Sequence, residues 1–179
     1  HIEGLDFSLQ IVDVRKARGG IAHVGRLIAG EITAVNGPVT LLVDKEARQA
    51  SCCNHTATHL LHEALRKVLG DHVGQMGSLV SSERLRFDFS HFASIDQNAL
   101  NSIAEIVNEQ IRSDLDISVY EEDIETARSK GAKALFGEKY GDRVRVVQIG
   151  EYSTELCGGT HVESTGQIGF FDLIGESGV

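Results

Sequence analysis

Two short segments that lie about a hundred residues apart place the tightest constraint on the fold of this chain. The first is "SCCNHTATHLLHEAL", in which His55 and His59 are four residues apart. The second is "ELCGGTHVEST", in which Cys157 and His161 have the same spacing. Imidazole nitrogens and thiolate sulfurs are zinc ligands, and zinc takes four of them in a tetrahedron. If both pairs bind one Zn²⁺, the fold must bring these distant segments into contact.

The residues around the first pair predict a helix that begins at Ser51 or Asn54, runs to about Leu69 and is ended by Gly70. Positions i and i+4 of a helix share one face, with Cβ atoms about 5–6 Å apart, so two imidazoles can converge on one ion. The glycine pair between Cys157 and His161 instead favours a tight turn, in which the thiolate and the imidazole point the same way.

Other residues compete for roles at this site. His62 shares the helical face and could also bind the ion, but the downstream pair completes four ligands without it. We therefore expect His62 to be a hydrogen-bonded histidine beside the site, and Cys52 and Cys53 to be small buried side chains. A metalloprotease is excluded, because that chemistry needs a glutamate directly after the first histidine, where this chain has Thr56.

Composition sets the outer limits. A net charge of -9 argues against a non-specific polyanion binder, although a local positive surface can still hold nucleic acid. Three cysteines in 179 residues make a poor disulfide framework and fit a reducing compartment. We therefore expect a cytoplasmic protein, with a mitochondrial matrix left open. No apolar run approaches membrane-spanning length and no signal peptide is visible, so no membrane partner is expected.

The remaining pattern predicts an α+β fold with a mainly antiparallel sheet packed with helices. Residues 1–50 resemble short strands between glycine turns, and we expect a small β-barrel-like subdomain there, with residues 1–4 set aside as a vector-derived remnant. Residues 51–179 are expected to form a zinc-containing α+β core. Its further elements are strands at "RLRFDFSHF", "ISVYE", "RVRVVQIG" and "IGFFDLIGE", a helix capped by Asp96, and a short helix closed by Gly131.

Four long segments resemble the editing region of bacterial-type alanyl-tRNA synthetases. They are "NHTATHLLHEAL", "GQMGSLVSSERLRFDFSH", "GAKALFGEKYGDRVRVVQIG" and "STELCGGTHVESTGQIGFFDLIGES". The resemblance runs from about Leu5 to the end of the chain, and threonyl-tRNA synthetase editing domains share its HxxxH…CxxxH theme. It implies the editing-domain fold and hydrolysis of the ester that joins serine or glycine to mischarged tRNA(Ala). Such editing is needed because a pocket for alanine discriminates poorly against amino acids this similar.

The resemblance also implies roles for individual residues. His55, His59, Cys157 and His161 match the family's zinc ligands, with one Zn²⁺ as cofactor. The expected catalytic residues are Gln75, Cys157, Thr56 and Asp88, and the expected substrate-binding residues are Thr58, Arg86, Lys139 and Arg143. Capping or packing would also explain the two threonines, and Arg86 and Asp88 could simply pair with each other.

A basic cluster is expected to hold the tRNA end or to form a solvated charged face. It contains Lys130, Lys133, Lys139, Arg143 and Arg145. The implied partners are the acceptor end of tRNA(Ala) and the remainder of a synthetase chain. The glycine-rich segment that precedes this region in the family, the aminoacylation domain and the helical tRNA-binding region are expected to be absent. ATP would be used only by the aminoacylation domain. Because that domain is expected to be absent, no ligase activity is expected from this chain.

Two questions stay open at this point. Glu155 and Asp88 are both candidates for a general base, and four protein ligands would make the zinc a closed, structural ion unless one ligand is displaced. The rival function is a zinc-stabilised module that binds the tRNA acceptor end without hydrolysing anything. A general zinc esterase is a third option, which no separate substrate motif supports.

Overall fold

The structure is a computed structural model that describes residues 1–33, 36–134 and 140–178. The chain divides into two compact units, residues 1–48 and residues 49–179. The first unit carries strands β1 (Ile2–Glu3), β2 (Phe7–Ala17), β3 (Gly20–Gly30) and β4 (Thr40–Leu41). They form one sheet in the order β3-β2-β1-β4.

The sheet of the first unit is built on a two-residue hairpin. Ala17 pairs with Gly20, and Gly19 takes φ 84°, the left-handed conformation that such tight turns require. Ile2 pairs with Leu9 of β2 and with Leu41 of β4, so the segment set aside as a remnant takes part in the sheet. The described residues of this unit therefore form an open four-stranded sheet, where a barrel-like arrangement was expected.

The second unit combines helices with two further antiparallel sheets. In chain order its elements are α1 (Lys45–Leu69), β5 (Gln75–Val80), β6 (Leu85–Phe89), α2 (Gln97–Arg112), β7 (Ile117–Asp123), α3 (Ile124–Ser129), β8 (Arg143–Ile149), β9 (Ser153–Leu156) and a 3-10 turn (Thr165–Ile168). β5 pairs with β6, and β8 lies between β7 and β9, all antiparallel. The predicted α+β class with antiparallel sheets is confirmed.

Helix α1 begins earlier than the sequence indicated. The Asp44 carboxylate accepts a hydrogen bond of 2.9 Å from the backbone amide of Ala47, which caps the helix at its N-terminus. The predicted start at Ser51 or Asn54 is therefore wrong, because the intervening "KEARQA" consists mostly of good helix formers. The predicted end is right, since Gly70 takes φ 114° directly after the helix.

The main core lies between α1, α2 and β8. Its buried members are Ala57, Leu60, Leu61, Ala64, Leu65, Val73, Ile103, Val107, Ile111, Ile149 and Phe171. Within the described part of the chain, no helix combines the length and apolar character needed to cross a bilayer. The buried face of α1 also carries polar side chains, namely Thr56, Thr58, His59 and His62. Buried polar groups need partners, so this face is where a site is expected.

The C-terminal segment is not the strand that "IGFFDLIGE" predicted. Gly169 takes φ 84°, which interrupts an extended chain, and Phe170 and Ile174 are 75% and 90% exposed. Phe171 is held by a side chain instead of a neighbouring strand. Its amide donates to Asn108 Oδ1 at 2.9 Å, and Asn108 Nδ2 donates to its carbonyl at 2.8 Å. The strand prediction for this segment is therefore wrong. Its alternating apolar residues include Phe171, whose backbone is bound by the Asn108 side chain.

The cap of α2 supplies a first testable prediction. Asp96 accepts a hydrogen bond of 2.8 Å from the amide of Ala99, as its position in the sequence predicted. Asp96→Ala should lower the free energy of unfolding by about 0.5–2 kcal/mol, because it leaves that amide unpaired. Urea unfolding measures the change. Glu105→Ala, on the exposed side of the same helix, should change it by less than about 0.5 kcal/mol; equal effects of both variants would refute the cap.

Candidate metal centre

Helix α1 and the turn after β9 bring four potential ligands together. One ligand atom from each of His55, His59, Cys157 and His161 lies within 4.8 Å of every other. The ring centroids of His55 and His59 are 5.2 Å apart, and those of His55 and His161 are 4.4 Å apart. Cys157 Sγ is 3.4 Å from His55 Nε2. The fold thus makes the long-range contact that the two sequence pairs require.

These residues fit a zinc ion in both chemistry and spacing. Zinc–nitrogen and zinc–sulfur bonds of about 2.0–2.3 Å place the ligand atoms of a tetrahedron about 3.3–3.8 Å apart, so small side-chain adjustments suffice here. Nε2 of His161 and Nε2 of His62 are buried and have no hydrogen-bond partner among the described residues, and of the two only His161 lies in the four-residue cluster. A buried nitrogen left in this state needs an explanation, and coordination supplies one.

The carboxylate of Glu155 fixes the orientation of His59. Glu155 is 2% exposed, and its Oε2 lies 2.7 Å from His59 Nδ1. Its other oxygen lies 3.0 Å from His62 Nδ1 and accepts a hydrogen bond of 3.2 Å from Ser153 Oγ. A histidine whose Nδ1–H is held by a carboxylate presents Nε2 to a metal, which is a common arrangement at zinc sites.

The charges of this cluster favour a bound cation. Burial opposes ionisation of the Cys157 thiol, but the neighbouring imidazoles of His161, His55 and His59 lower its pKa to about 3. Burial likewise opposes protonation of His59, but the adjacent Glu155 and Cys157 raise its pKa to about 10. The pKa of Glu155 lies well below its usual range despite burial, because of His59 and His62. Cys157, which is one of the four ligands, and Glu155, which contacts His59, therefore both favour the anionic form, as a Zn²⁺ site requires. His59 would lose its second ring proton when it binds the ion.

The two threonines of α1 form hydrogen bonds within the protein, one of them with a candidate zinc ligand. Thr56 is fully buried; its Oγ1 is 3.2 Å from His161 Nδ1 and accepts from the amide of Val162 at 3.3 Å. In the tautomer that carries the proton on Nδ1, this contact leaves Nε2 of His161 free for a metal. Thr58, expected to bind substrate, donates its hydroxyl to the carbonyl of Asn54 at 2.8 Å, within the helix. Both contacts correspond to the packing alternative.

The turn that carries Cys157 is held by Arg145. Its guanidinium Nη1 donates to the carbonyls of Cys157 and Gly159, at 2.8 and 2.7 Å. Arg145 was expected to contact tRNA or to lie on a solvated charged face, so this positioning contact was missed. Ser153, which supports Glu155, was missed too. Its signal in the sequence is the two-residue spacing that puts both side chains on one face of β9.

Gly159 supplies a prediction about this turn. A Cβ atom at Gly159 would lie 2.0 Å from Cε1 of His55, whereas one at Gly158 would meet nothing within 4 Å. Gly159→Ala should therefore displace the His55 ring and weaken zinc binding at least as much as loss of an outer contact, about 10- to 100-fold. Gly158→Ala is the matched control and should bind zinc normally. Competition with a chromogenic chelator measures both, and equal affinities would contradict the packing described here.

Of the competing residues of α1, His62 and Cys52 are buried as expected, and Cys53 is less buried than expected. His62 is buried against Glu155 and has a ring contact of 5.3 Å to Phe87. Cys52 is buried, and Cys53 is half-buried and donates to the carbonyl of Gln167 at 3.4 Å. All three cysteines are free.

Three of the described basic residues of the expected tRNA surface have acidic partners, whereas Arg145 contacts backbone carbonyls. Lys130 contacts Glu122 at 2.5 Å, Lys133 contacts Glu63, and Arg143 contacts Glu121 at 3.7 Å. Lys139 lies outside the described residues. Exposed ion pairs contribute only about 0–1 kcal/mol each, so these cations can still be exchanged onto a phosphate.

The remaining predicted site residues lie on the β5–β6 sheet. Gln75, half-buried at the start of β5, donates to Ser78 Oγ at 3.1 Å. Arg86 and Asp88 form two contacts with each other, of 3.0 and 3.1 Å, which is the pairing alternative. Both line a groove of about 720 Å³, next to the side of α1 that carries Ala57 and Leu61. These three residues are therefore placed on a different element from the four ligands.

Comparison with known proteins gives a consistent result. Residues 144–179 match the family described as "Threonyl and Alanyl tRNA synthetase second additional domain". The alanine--tRNA ligase of Clostridioides difficile is 53% identical over 173 residues, which is 96% of this chain and 20% of that protein. Those of Shewanella amazonensis and Hydrogenovibrio crunogenus are 50% and 52% identical over 177 residues, 99% of this chain and 20% of each protein.

The chain therefore spans about a fifth of the length of the relatives it matches. The similarity covers both compact units and includes the turn that carries Cys157 and His161. With this coverage and identity, the chain belongs to the alanyl-tRNA synthetase family, as a segment that contains its second additional domain.

Proposed function

We propose that this chain is an editing region that hydrolyses the ester of tRNA(Ala) mischarged with serine or glycine, at a site containing one zinc ion. The observation that carries the proposal is the convergence of His55, His59, Cys157 and His161 within 4.8 Å. It is supported by the similarity to alanine--tRNA ligases, whose name describes attachment of alanine to tRNA. The proposed partners are the acceptor end of tRNA(Ala) and the remainder of the synthetase chain, in the cytoplasm.

The need for such a hydrolase follows from the size of the amino acids. Glycine is smaller than alanine, and serine differs by one hydroxyl, so an alanine pocket rejects neither strongly. A second site that hydrolyses the ester of seryl- and glycyl-tRNA restores accuracy. Polar groups that can hydrogen-bond the serine hydroxyl would let that site recognise serine.

One group of residues would bind the zinc ion, and a second group would orient those ligands. His55, His59, Cys157 and His161 would hold the zinc, and Glu155, Thr56 and Arg145 would keep those ligands oriented. A bound zinc supplies Lewis-acid polarisation of a carbonyl oxygen or of water.

Other side chains would act on the substrate. Gln75, on strand β5, would donate an amide hydrogen bond to it. Asp88 could accept a proton only after its contacts with Arg86 open.

A second function is favoured by one specific observation. All four ligands come from the protein, and closed sites of this kind are usually structural. Glu155, the other candidate general base, is occupied by His59 and His62. On this account the chain is a zinc-stabilised module that binds the tRNA acceptor end, and hydrolysis needs another part of the synthetase.

Single-turnover deacylation separates the two functions. The zinc-loaded chain is mixed with tRNA(Ala) carrying radiolabelled serine, glycine or alanine, and ester loss is followed over spontaneous hydrolysis. The editing proposal predicts rapid release of serine and glycine and retention of alanine. Binding of all three RNAs at the spontaneous rate of hydrolysis would establish the binding module and refute the editing activity.

A further inference from the structure

A cluster of three aromatic rings, outside the metal site, is suited to contact an unpaired nucleobase. It consists of His72, in the loop after α1, and His91 and Phe92, which follow β6; we call it the aromatic platform. The ring centroids are 5.1 Å apart for the two histidines, 4.7 Å for His72 and Phe92, and 5.1 Å for His91 and Phe92. The planes of the two histidine rings differ by only 21°, and the rings lie side by side, edge to edge.

The aromatic platform is held in place by the backbone on both sides. Ser90 Oγ contacts the carbonyl of His72 at 3.2 Å and accepts from the amide of Gly74 at 3.1 Å. Arg66 Nη1 donates to the carbonyls of Asp71 and Val73, at 2.6 and 2.9 Å, and so fixes the other side of the loop. His72 and His91 also share a hydrogen bond of 2.9 Å. A surface ordered in advance loses little conformational entropy when a ligand binds.

Exposure and chemistry favour a base as the occupant. Phe92 is 84% exposed, although burial of an aromatic ring is strongly favourable. Unpaired RNA bases stack on Phe and His rings, whereas protein interfaces are depleted in Asp and Ser. The neighbours of the aromatic platform are Asp71, 95% exposed, and Ser90.

The position along α1 relates the aromatic platform to the metal site. Gly70, which leads into the loop of His72, comes about three helical turns after His59. Three turns correspond to about 16 Å along the helix axis. A short unpaired RNA end can cover this separation.

We propose that the aromatic platform binds one unpaired base near the 3′ end of the RNA whose terminal ester is presented to the metal site. The proposal rests on the proposed function and adds a place for the nucleotides that precede the ester. Stacking contributes about 1–3 kcal/mol per base and needs no particular base identity. The platform would therefore supply affinity and register, while the metal site distinguishes the amino acid.

Fluorescence tests the contact directly, because the chain has no tryptophan. Phe92→Trp places a single fluorophore on the aromatic platform, and Phe170→Trp places one at another exposed phenylalanine of the same unit. The probe is an RNA hairpin with a four-nucleotide unpaired 3′ extension that carries no amino acid. Titration should quench the tryptophan at position 92 and leave that at position 170 unchanged. Equal responses of the two fluorophores, or no quenching at position 92, would overturn the proposal.

Affinity gives an independent measurement on the same RNA. Phe92→Ala should weaken binding of the extended hairpin by about 5- to 150-fold, from the stacking energy above, and leave binding of a blunt hairpin unchanged. The slope of log affinity against log salt should stay the same, because stacking releases no counterions. Phe170→Ala is the matched control. Unchanged affinity of Phe92→Ala would overturn the platform and assign Phe92 to a protein contact.

This experiment involves no hydrolysis, so it separates the two proposals. A chain that binds the extended hairpin through Phe92 but releases no serine from mischarged tRNA refutes the editing activity alone. A chain that releases serine while Phe92→Ala binds normally refutes the aromatic platform alone.

Discussion

Replacing Cys157 by alanine should lower the affinity for zinc by more than about 100-fold and reduce deacylation of seryl-tRNA to the spontaneous rate. Loss of an outer partner of a ligand costs about 10- to 100-fold in metal affinity or activity, so loss of a ligand should cost more. Cys157 also supplies the negative charge among the four ligand atoms, since its pKa is lowered to about 3. Competition with a chromogenic chelator and single-turnover hydrolysis measure the two effects.

Cys53→Ala is the matched control for this variant. Cys53 is a half-buried free cysteine on α1, outside the four-residue cluster. It should bind zinc and hydrolyse seryl-tRNA at the unsubstituted level. Tight zinc binding and full hydrolysis by Cys157→Ala would exclude this residue from both the metal site and the reaction.

Glu155→Gln should lower the free energy of unfolding of the zinc-free chain by about 3–5 kcal/mol, because it removes the partner of a buried charge. The carboxylate contacts both His59 and His62, and all three side chains are almost completely buried. The amide carries no charge and turns a donor toward one of the two rings. Guanidinium unfolding in the presence of a chelator measures this loss without a contribution from the metal.

The same variant should also bind zinc about 10- to 100-fold more weakly, because His59 loses the group that orients it. Glu151→Gln, an exposed carboxylate in the turn between β8 and β9, is the control and should change stability by less than about 0.5 kcal/mol. If Glu155→Gln unfolds at the same denaturant concentration as Glu151→Gln, Glu155 does not anchor the two histidines.

The ligand cluster could be predicted from the sequence because its chemistry is carried by rare residue types at fixed spacing. His55 and His59 fall on one helical face, and the spacing of Cys157 and His161 across two glycines matches it. Antiparallel pairing of the strands was predictable too, since alternation such as that of "RLRFDF" marks a face-selective strand.

Other features depend on long-range contacts that local patterns do not encode. "IGFFDLIGE" alternates like a strand, but the Asn108 side chain takes up the backbone groups of Phe171 that a strand would pair. Arg145 looked like a ligand for phosphate, whereas the fold brings it to the carbonyls of the Cys157 turn. Only the assembled site distinguishes a surface cation from one that holds a turn.

The central claim is that one zinc ion is bound by three histidines and one cysteine of this chain. X-ray absorption at the zinc edge, on chain loaded with one equivalent and dialysed, tests it directly. The account predicts one zinc per chain, with about three nitrogen neighbours at about 2.0–2.1 Å and one sulfur at about 2.3 Å. Absence of bound zinc after dialysis, or a spectrum without a sulfur neighbour that is unchanged in Cys157→Ala, would contradict it.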